Sequence, residues 1–278
     1  MKKMKFSQIS LFLVGAMFVA CQSEKNEELD VAADSNVSTE IIEKLANFDM
    51  NTNYVEKTAL VLPDGSTTPA YKVEGDIYMT EEKIKELPNL EGLTGRNYYT
   101  NNLVSQNTVI DIIGFTGGGG FGLSSKAQTA LQWAVNNYNR LNLSIRFNLT
   151  FGTNYQPRDM VVYNNPNESG SGGSAGFPSG GAPFKFVQIF GLEGFSTNVN
   201  EHVITHEIGH SVGFRHTDYF SRQSCGQNVN EGVGSIGANP IPGTPAGYDP
   251  TSVMIACFSS SDDGEFGPND ITALRFLY

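Results

Sequence analysis

The stretch His206-Glu207-Ile208-Gly209-His210-Ser211-Val212-Gly213-Phe214-Arg215-His216 constrains this chain more than any other. His210 stands four positions after His206. On a helix that spacing puts both imidazoles on one face, about one turn apart. Two neutral imidazoles so placed can grip one Zn²⁺. Glu207 then projects beside the ion, where a general base for an activated water belongs. Gly213 follows His210 by three positions. Glycine takes positive φ at little cost, so it can end the helix and turn the chain back. That turn lets His216 reach the same ion as a third ligand. A fourth position stays open, as in catalytic rather than structural zinc sites. The chain has only four histidines, all between His202 and His216. His202, one turn before His206, is read as a surface residue, with a role supporting the ligands as the alternative.

These residues resemble the metzincin clan of zinc endopeptidases. Metzincins also carry a methionine turn beneath the metal, and Ser252-Val253-Met254 fits it, 38 residues after His216. The spelling HEIGH, then GFRHTD through Asp218, is most similar to the bacterial HEIGH-type (dual-action HEIGH) metallopeptidases. The resemblance runs from about Val109 to Tyr278. It implies an α+β fold: a twisted, mostly parallel sheet, a zinc helix, the Met-turn at Met254 and a C-terminal helix, preceded by a small pro-segment. It also implies one catalytic Zn²⁺, a protein or peptide substrate and a monomer. Astacins and serralysins have a tyrosine two residues after the methionine. Here that position is Ala256, so oxyanion stabilisation is expected to rest mainly on zinc. Asp218 could orient a ligand or cap a turn.

Three segments are expected: a signal peptide over 1–20, a lipidated linker and pro-region over 21–96, and the peptidase domain over 97–278. Lys2, Lys3 and Lys5 precede a short apolar core, Ile9 to Ala20, too short to span a bilayer. Phe18-Val19-Ala20-Cys21 resembles a bacterial lipobox, although Phe18 stands where leucine is commoner. The resemblance implies an acylated Cys21 anchored in the bilayer; ordinary cleavage with a free Cys21 is the alternative. Two or more acyl chains would anchor the chain stably. The acidic run Gln22 to Glu28 is either a surface-export signal or a solvated tether. The expected location is the bacterial cell envelope, lipid-anchored to the outer membrane and surface-exposed or released after processing. Net charge is −11, which excludes binding to nucleic acid through phosphate neutralisation. Cys225 and Cys257 remain, and a pair of cysteines in an oxidising compartment is expected to form a disulfide. It would close a loop of 32 positions, worth about 3–4 kcal/mol in the loop-entropy model.

In the pro-region, 39–48 and 80–87 read as helices, and 57–62 and 70–78 as strands. Val73-Glu74-Gly75-Asp76-Ile77 is similar to a Gly-Asp-Ile in astacin-like propeptides. There the aspartate fills the open zinc position, which makes Asp76 a candidate zymogen switch. A plain strand end with an exposed Asp76 is the alternative. No cysteine lies between residues 22 and 224, so a cysteine switch is excluded. Arg96 is a candidate activation cut in a polar, turn-rich region.

Beyond it, Thr108 to Phe115 reads as a strand. Gly117 to Gly122 matches GxGxxG, but the next strand carries no acid for a ribose, so a turn is expected there. Ser124 to Leu141 is a helix with a stripe at Ala127, Ala130, Leu131, Ala134, Val135 and Tyr138; Trp133 is assigned to the core. Strands follow at 143–151, 159–163 and 184–190. Ala175 to Pro178 is either an edge strand over a cleft, to which an extended substrate could add, or a surface loop. The zinc helix is expected over Asn198–Val212, and a closing helix starts at Pro268. Asp262, Asp263, Glu265 and Asp270 form an acidic cluster without EF-hand spacing; Ca²⁺ there is the weaker cofactor expectation.

The reaction expected is peptide-bond hydrolysis by a metal-activated water, with Glu207 as general base. Two other classes compete. A catalytically inactive zinc-binding or adhesive lipoprotein needs no base, and a metal scavenger would want a histidine-rich tract.

Overall fold

The computed structural model describes residues 37–46, 50, 52, 55–86, 98–231, 238–245 and 247–278. The signal peptide, Cys21, the acidic linker and Arg96 lie outside the described residues. The elements in chain order are α1 (Thr39–Ala46), β1 (Glu56–Val61), β2 (Thr67–Val73), β3 (Ile77–Met79), α2 (Glu81–Glu86), β4 (Tyr98–Tyr99), β5 (Val109–Phe115) and α3 (Ser125–Asn139). Then come β6 (Arg146–Gly152), β7 (Met160–Asn164), β8 (Gly172–Ser174), β9 (Phe186–Phe190), α4 (Thr197–Ser211), β10 (Asn239–Pro240) and α5 (Pro268–Leu277).

The expected α+β fold is present. The main sheet has the order β6-β5-β7-β9-β8. Its first four strands run parallel, and β8 closes one edge antiparallel to β9. Parallel strands need long crossovers, and α3 supplies the one between β5 and β6. Ile110 and Ile112 of β5 meet Leu131, Ala134 and Tyr138 of α3, and Val203, Ile204 and Ile208 of α4, in the principal core. Ile113, Phe115, Val161 and Tyr163 pack on the opposite face with Tyr155. Burial on both faces explains why β5 and β7 are nearly continuous apolar runs.

Both long helices are capped by serine. Ser124 Oγ accepts from Ala127 N and Ser196 Oγ accepts from Val199 N, satisfying amide groups that a helix start leaves orphaned. The predicted stripe on α3 is buried, but Trp133 is 40% exposed, which corrects its assignment to the core. It lies about 200° around the helix from Leu131, so it points away from the sheet.

The stretch read as one strand over 70–78 is a hairpin. Residues 74–76 form its turn, with Val73 opposite Ile77. Glu74 and Gly75 sit at positive φ, 57° and 97°, a conformation that reverses the chain where alternation of apolar residues predicted a continuous strand. The hairpin core of Tyr71, Val73 and Ile77 rests on Ile41 and Leu45 of α1 and Ile84 of α2. On its other side Leu60, Ala70 and Tyr78 contact Phe184 and Phe186 beside the main sheet. The described part of the segment assigned to the pro-region thus belongs to the same compact unit as the main sheet.

The C-terminal helix positions the methionine turn. Asp270, 4% exposed, accepts from Gly267 N in its own helix start and from Ser252 Oγ and Val253 N. Its carboxylate therefore faces the Met-turn rather than joining Asp262, Asp263 and Glu265 as the sequence grouping had it.

Candidate metal centre

Helix α4 is buried all round, from Val199 to Ser211. It carries His206, Glu207 and His210 into the centre of the molecule. Gly213, at φ 113°, ends it and turns the chain toward His216 as expected. The turn is held from outside: Thr100 N donates to Gly213 O and Arg215 N to Tyr98 O.

The three imidazoles converge. His210 Nε2 lies 2.9 Å from His206 Nε2 and 3.2 Å from His216 Nε2. Asp76, at the hairpin tip, brings Oδ2 to 2.9 Å from His216 Nε2. Among the described residues, Asp76, His206, His210 and His216 form the only group whose ligand atoms all lie within 4.8 Å of one another.

The chemistry of this donor set fits a metal ion. Each ring spends its Nδ1 on an acceptor: His206 on Val253 O at 2.9 Å, His210 on Phe214 O at 2.8 Å, and His216 on both oxygens of Glu231 at 2.9 and 3.0 Å. A carbonyl can only accept, so Nδ1 carries the proton and Nε2 presents a bare lone pair. With His210 Nε2 about 3 Å from each of the other two, such lone pairs repel unless a cation lies among them. Asp76 Oδ1 is also buried without a hydrogen-bond partner.

Electrostatics agree. Burial, joined by repulsion from its neighbours, pushes His206 down, and burial and His216 bring His210 to about 4. Both are therefore neutral at neutral pH, the form in which an imidazole can hold a metal. His216 is opposed by burial but raised overall by Asp76 and Glu231, so two carboxylates invite a cation there. For Asp76, burial favours the neutral acid, yet His216 facing it, with His210 and His206 behind, holds the carboxyl below its usual range. Glu207 is buried beside them with Oε2 unpartnered. Burial, then Asp76, raises its carboxyl well above the ordinary glutamate value.

Two glycines let backbone come close. A Cβ at Gly209 would collide with Met254 Sδ, so the glycine inside HEIGH admits the methionine beneath the rings. A Cβ at Gly173 on β8 would lie 2.6 Å from Glu207 Cγ. Val253 O takes His206 Nδ1 and Met254 O takes Thr217 N at 2.8 Å, so the Met-turn ties both ligand-bearing segments.

The expected disulfide Cys225–Cys257 is present. Beside it, Asp218 accepts from Ser224 N, Ser224 Oγ and Ala256 N. It therefore joins the loop after His216 to the exit of the Met-turn and touches no imidazole. His202 is 4% exposed, correcting its assignment to the surface; Asp263 O accepts from its Nδ1 at 2.8 Å, and burial lowers its pKa. An edge strand forms at Gly172–Ser174, before the stretch expected for it; of 175–178 only Ala175 pairs, with Ala175 N donating to Asp76 O and Tyr78 N to Ala175 O, and 176–178 form no strand.

Sequence reasoning missed Glu231 and the arginines around it. Arg222 donates to Glu231 Oε1 at 2.5 Å and to Glu74 O at 3.0 Å. Arg215 donates to both oxygens of Glu74 at 2.9 Å, with both side chains buried. Nothing in spacing marks Glu231, which reaches His216 from 15 residues away across an irregular loop.

Residues 71–278 match the family model described as dual-action HEIGH metallo-peptidase, and the chain belongs to that family. It is accordingly a metalloprotease, a hydrolase acting on protein or peptide substrates. Two solved structures of myroilysin are similar to it. One has 14% identity and a TM-score of 0.41, covering 64% of this chain and 82% of that one. The other has 13% identity and a TM-score of 0.42, covering 69% and 98%. No match is found among curated proteins.

Because Glu231 fixes the tautomer and angle of His216, Glu231→Gln is expected to weaken zinc binding by about 10–100-fold. Competition with a chromogenic chelator measures this; unchanged affinity would show that His216 needs no such support.

Proposed function

We propose that the chain is a zinc-dependent endopeptidase held latent by its own hairpin, with His206, His210 and His216 as ligands, Glu207 as general base and Asp76 as blocking ligand. The observation that carries this reading is the convergence of three Nε2 atoms and an Asp76 oxygen beside the buried Glu207, whose Oε2 has no partner among the described residues. When bound, zinc supplies a Lewis acid that lowers the pKa of water toward about 7 and polarises a carbonyl.

Glu207 takes the proton of the attacking water and later passes it to the leaving amine. Its burial beside the three rings puts a carboxylate where a proton could be accepted from water and returned to the amine. Met254 gives the rings an apolar, polarisable floor. An extended substrate would add along β8 and Ala175 through main-chain hydrogen bonds. The hairpin tip now occupies that edge, as Asp76 O and Tyr78 N pair with Ala175.

Latency follows from the same contacts. Asp76 occupies the position that water and substrate need. The Glu74–Arg215 pair and the bond from Arg222 to Glu74 O anchor the tip on either side of His216. A buried ion pair resists separation because each charge left alone would be costly. Cleavage near Arg96 would leave Tyr98 and its partners on the ligand turn in place while freeing the hairpin. Acylation of Cys21 would place the enzyme in the bacterial envelope. An inactive zinc-binding lipoprotein is the second reading, and the buried Glu207 favours catalysis, since binding alone needs no base.

Glu207→Gln is expected to lower peptide turnover by about 10²–10⁴-fold while zinc content, read by elemental analysis, holds; retained turnover would remove Glu207 from its role. Asp76→Ala should shorten the precursor's lifetime and give early activity in a time course. A precursor that persists as long as wild type would count against the switch. In detergent phase separation, Cys21→Ser should move the protein to the aqueous phase, and partitioning like wild type would argue against acylation.

A further inference from the structure

Beside the ligands lies a cavity of about 220 Å³ whose walls include His202, Ser252, Val253, Asp262, Asp263 and Glu265. It is smaller than the roughly 300–1,000 Å³ of pockets that enclose a whole small molecule, and so is suited to one side chain. It is next to the centre on two counts. The His202 and His206 rings stack with centroids 6.5 Å apart, and the wall residue Val253 is the one whose carbonyl accepts from His206.

The chemistry of its walls selects an occupant. His202 is buried, and its Nδ1 faces Asp263 O, so Nδ1 carries the proton. Its Nε2 is a buried acceptor with no partner, a state that costs free energy until a donor arrives. Asp262 accepts from Ser259 N and Oγ, and Asp263 from Glu265 N, which leaves each carboxylate with spare acceptor capacity. Glu265 is paired with Arg140. The cavity thus offers acceptors and the negative charge of Asp262 and Asp263, neither of which is in a salt bridge among the described residues. Their atoms do not close on one point: among the described residues, only the Asp76 and three-histidine group does so. A donor carried on an extended organic chain suits this spread better than an inorganic ion.

We propose that this cavity takes the basic side chain of a lysine or arginine flanking the scissile bond, with His202 Nε2 accepting from it and Asp262 and Asp263 supplying countercharge. The proposal deepens, and rests on, the peptidase reading above. It assigns to the enzyme a preference for cutting next to basic residues.

Two measurements on the full-length protein test it. Agmatine, a guanidinium on a four-carbon chain, should bind with a shift in the His202 ring ¹⁵N resonance, whereas neutral pentanamide should not. Asp262→Asn/Asp263→Asn should lose the agmatine response. Equal responses to both probes, or none, would overturn the proposal. After activation, peptides carrying lysine or arginine on one side of the cut should be hydrolysed about tenfold faster than alanine or glutamate versions, and the ratio should collapse in the double variant. Cleavage without that preference overturns the pocket assignment and leaves the peptidase reading standing. Agmatine binding by a zinc-loaded, activated protein that cleaves no peptide would instead overturn the peptidase reading and leave the cation pocket.

Discussion

Everything near the centre depends on three hydrogen bonds made on the far side of three rings. By donating Nδ1 to Val253 O, Phe214 O and Glu231, the histidines are locked with Nε2 bare and facing inward. The acceptors come from three separate places: the Met-turn, the residue after the helix-ending glycine, and the loop past Ser221. Their positions are set in turn by Asp270, by Gly213 and by Arg222. The fold can thus be read as a device for delivering those acceptors, since without them a neutral imidazole could present either nitrogen.

The hairpin that carries Asp76 uses the same framework. It brings a carboxylate where the bare nitrogens point, and its anchors, Arg215 and Arg222, neighbour the third ligand or hold its supporting glutamate. The hairpin also pairs with Ala175, so one short turn, with Glu74 at positive φ, reaches both the three rings and the edge of the main sheet.

Charge is divided around the centre. Glu231, Asp76 and Glu207 converge on the ligand side, where arginines and imidazoles balance them. Asp262 and Asp263 stand on the side of His202, where Arg140 pairs with Glu265. Acidic residues that look alike in the sequence thus meet different surroundings according to where the fold places them. Asp270 shows this: it stands eight positions after Asp262 but spends its carboxylate on the Met-turn.

The chain's own spelling brought His206, His210 and His216 together with Glu207 beside them, and set the helix end at Gly213, the turn at Met254 and the apolar stripe of α3. Each depends on a local repeat: i and i+4 on one helix face, a positive-φ glycine, a period near 3.6. Asp76 and the Cys225–Cys257 pair were also legible, the first through a short similarity, the second through the expectation of an oxidising compartment. Tertiary structure alone decided that His202 is buried, that Trp133 is not, that Glu231 supports His216, that Gly209 makes room for Met254, and that a hairpin splits the run from 70 to 78. These are facts about distant segments meeting. A side chain's partner across 15 or 140 residues leaves no period in the sequence, because it is set by where the sheet and its loops place the backbone.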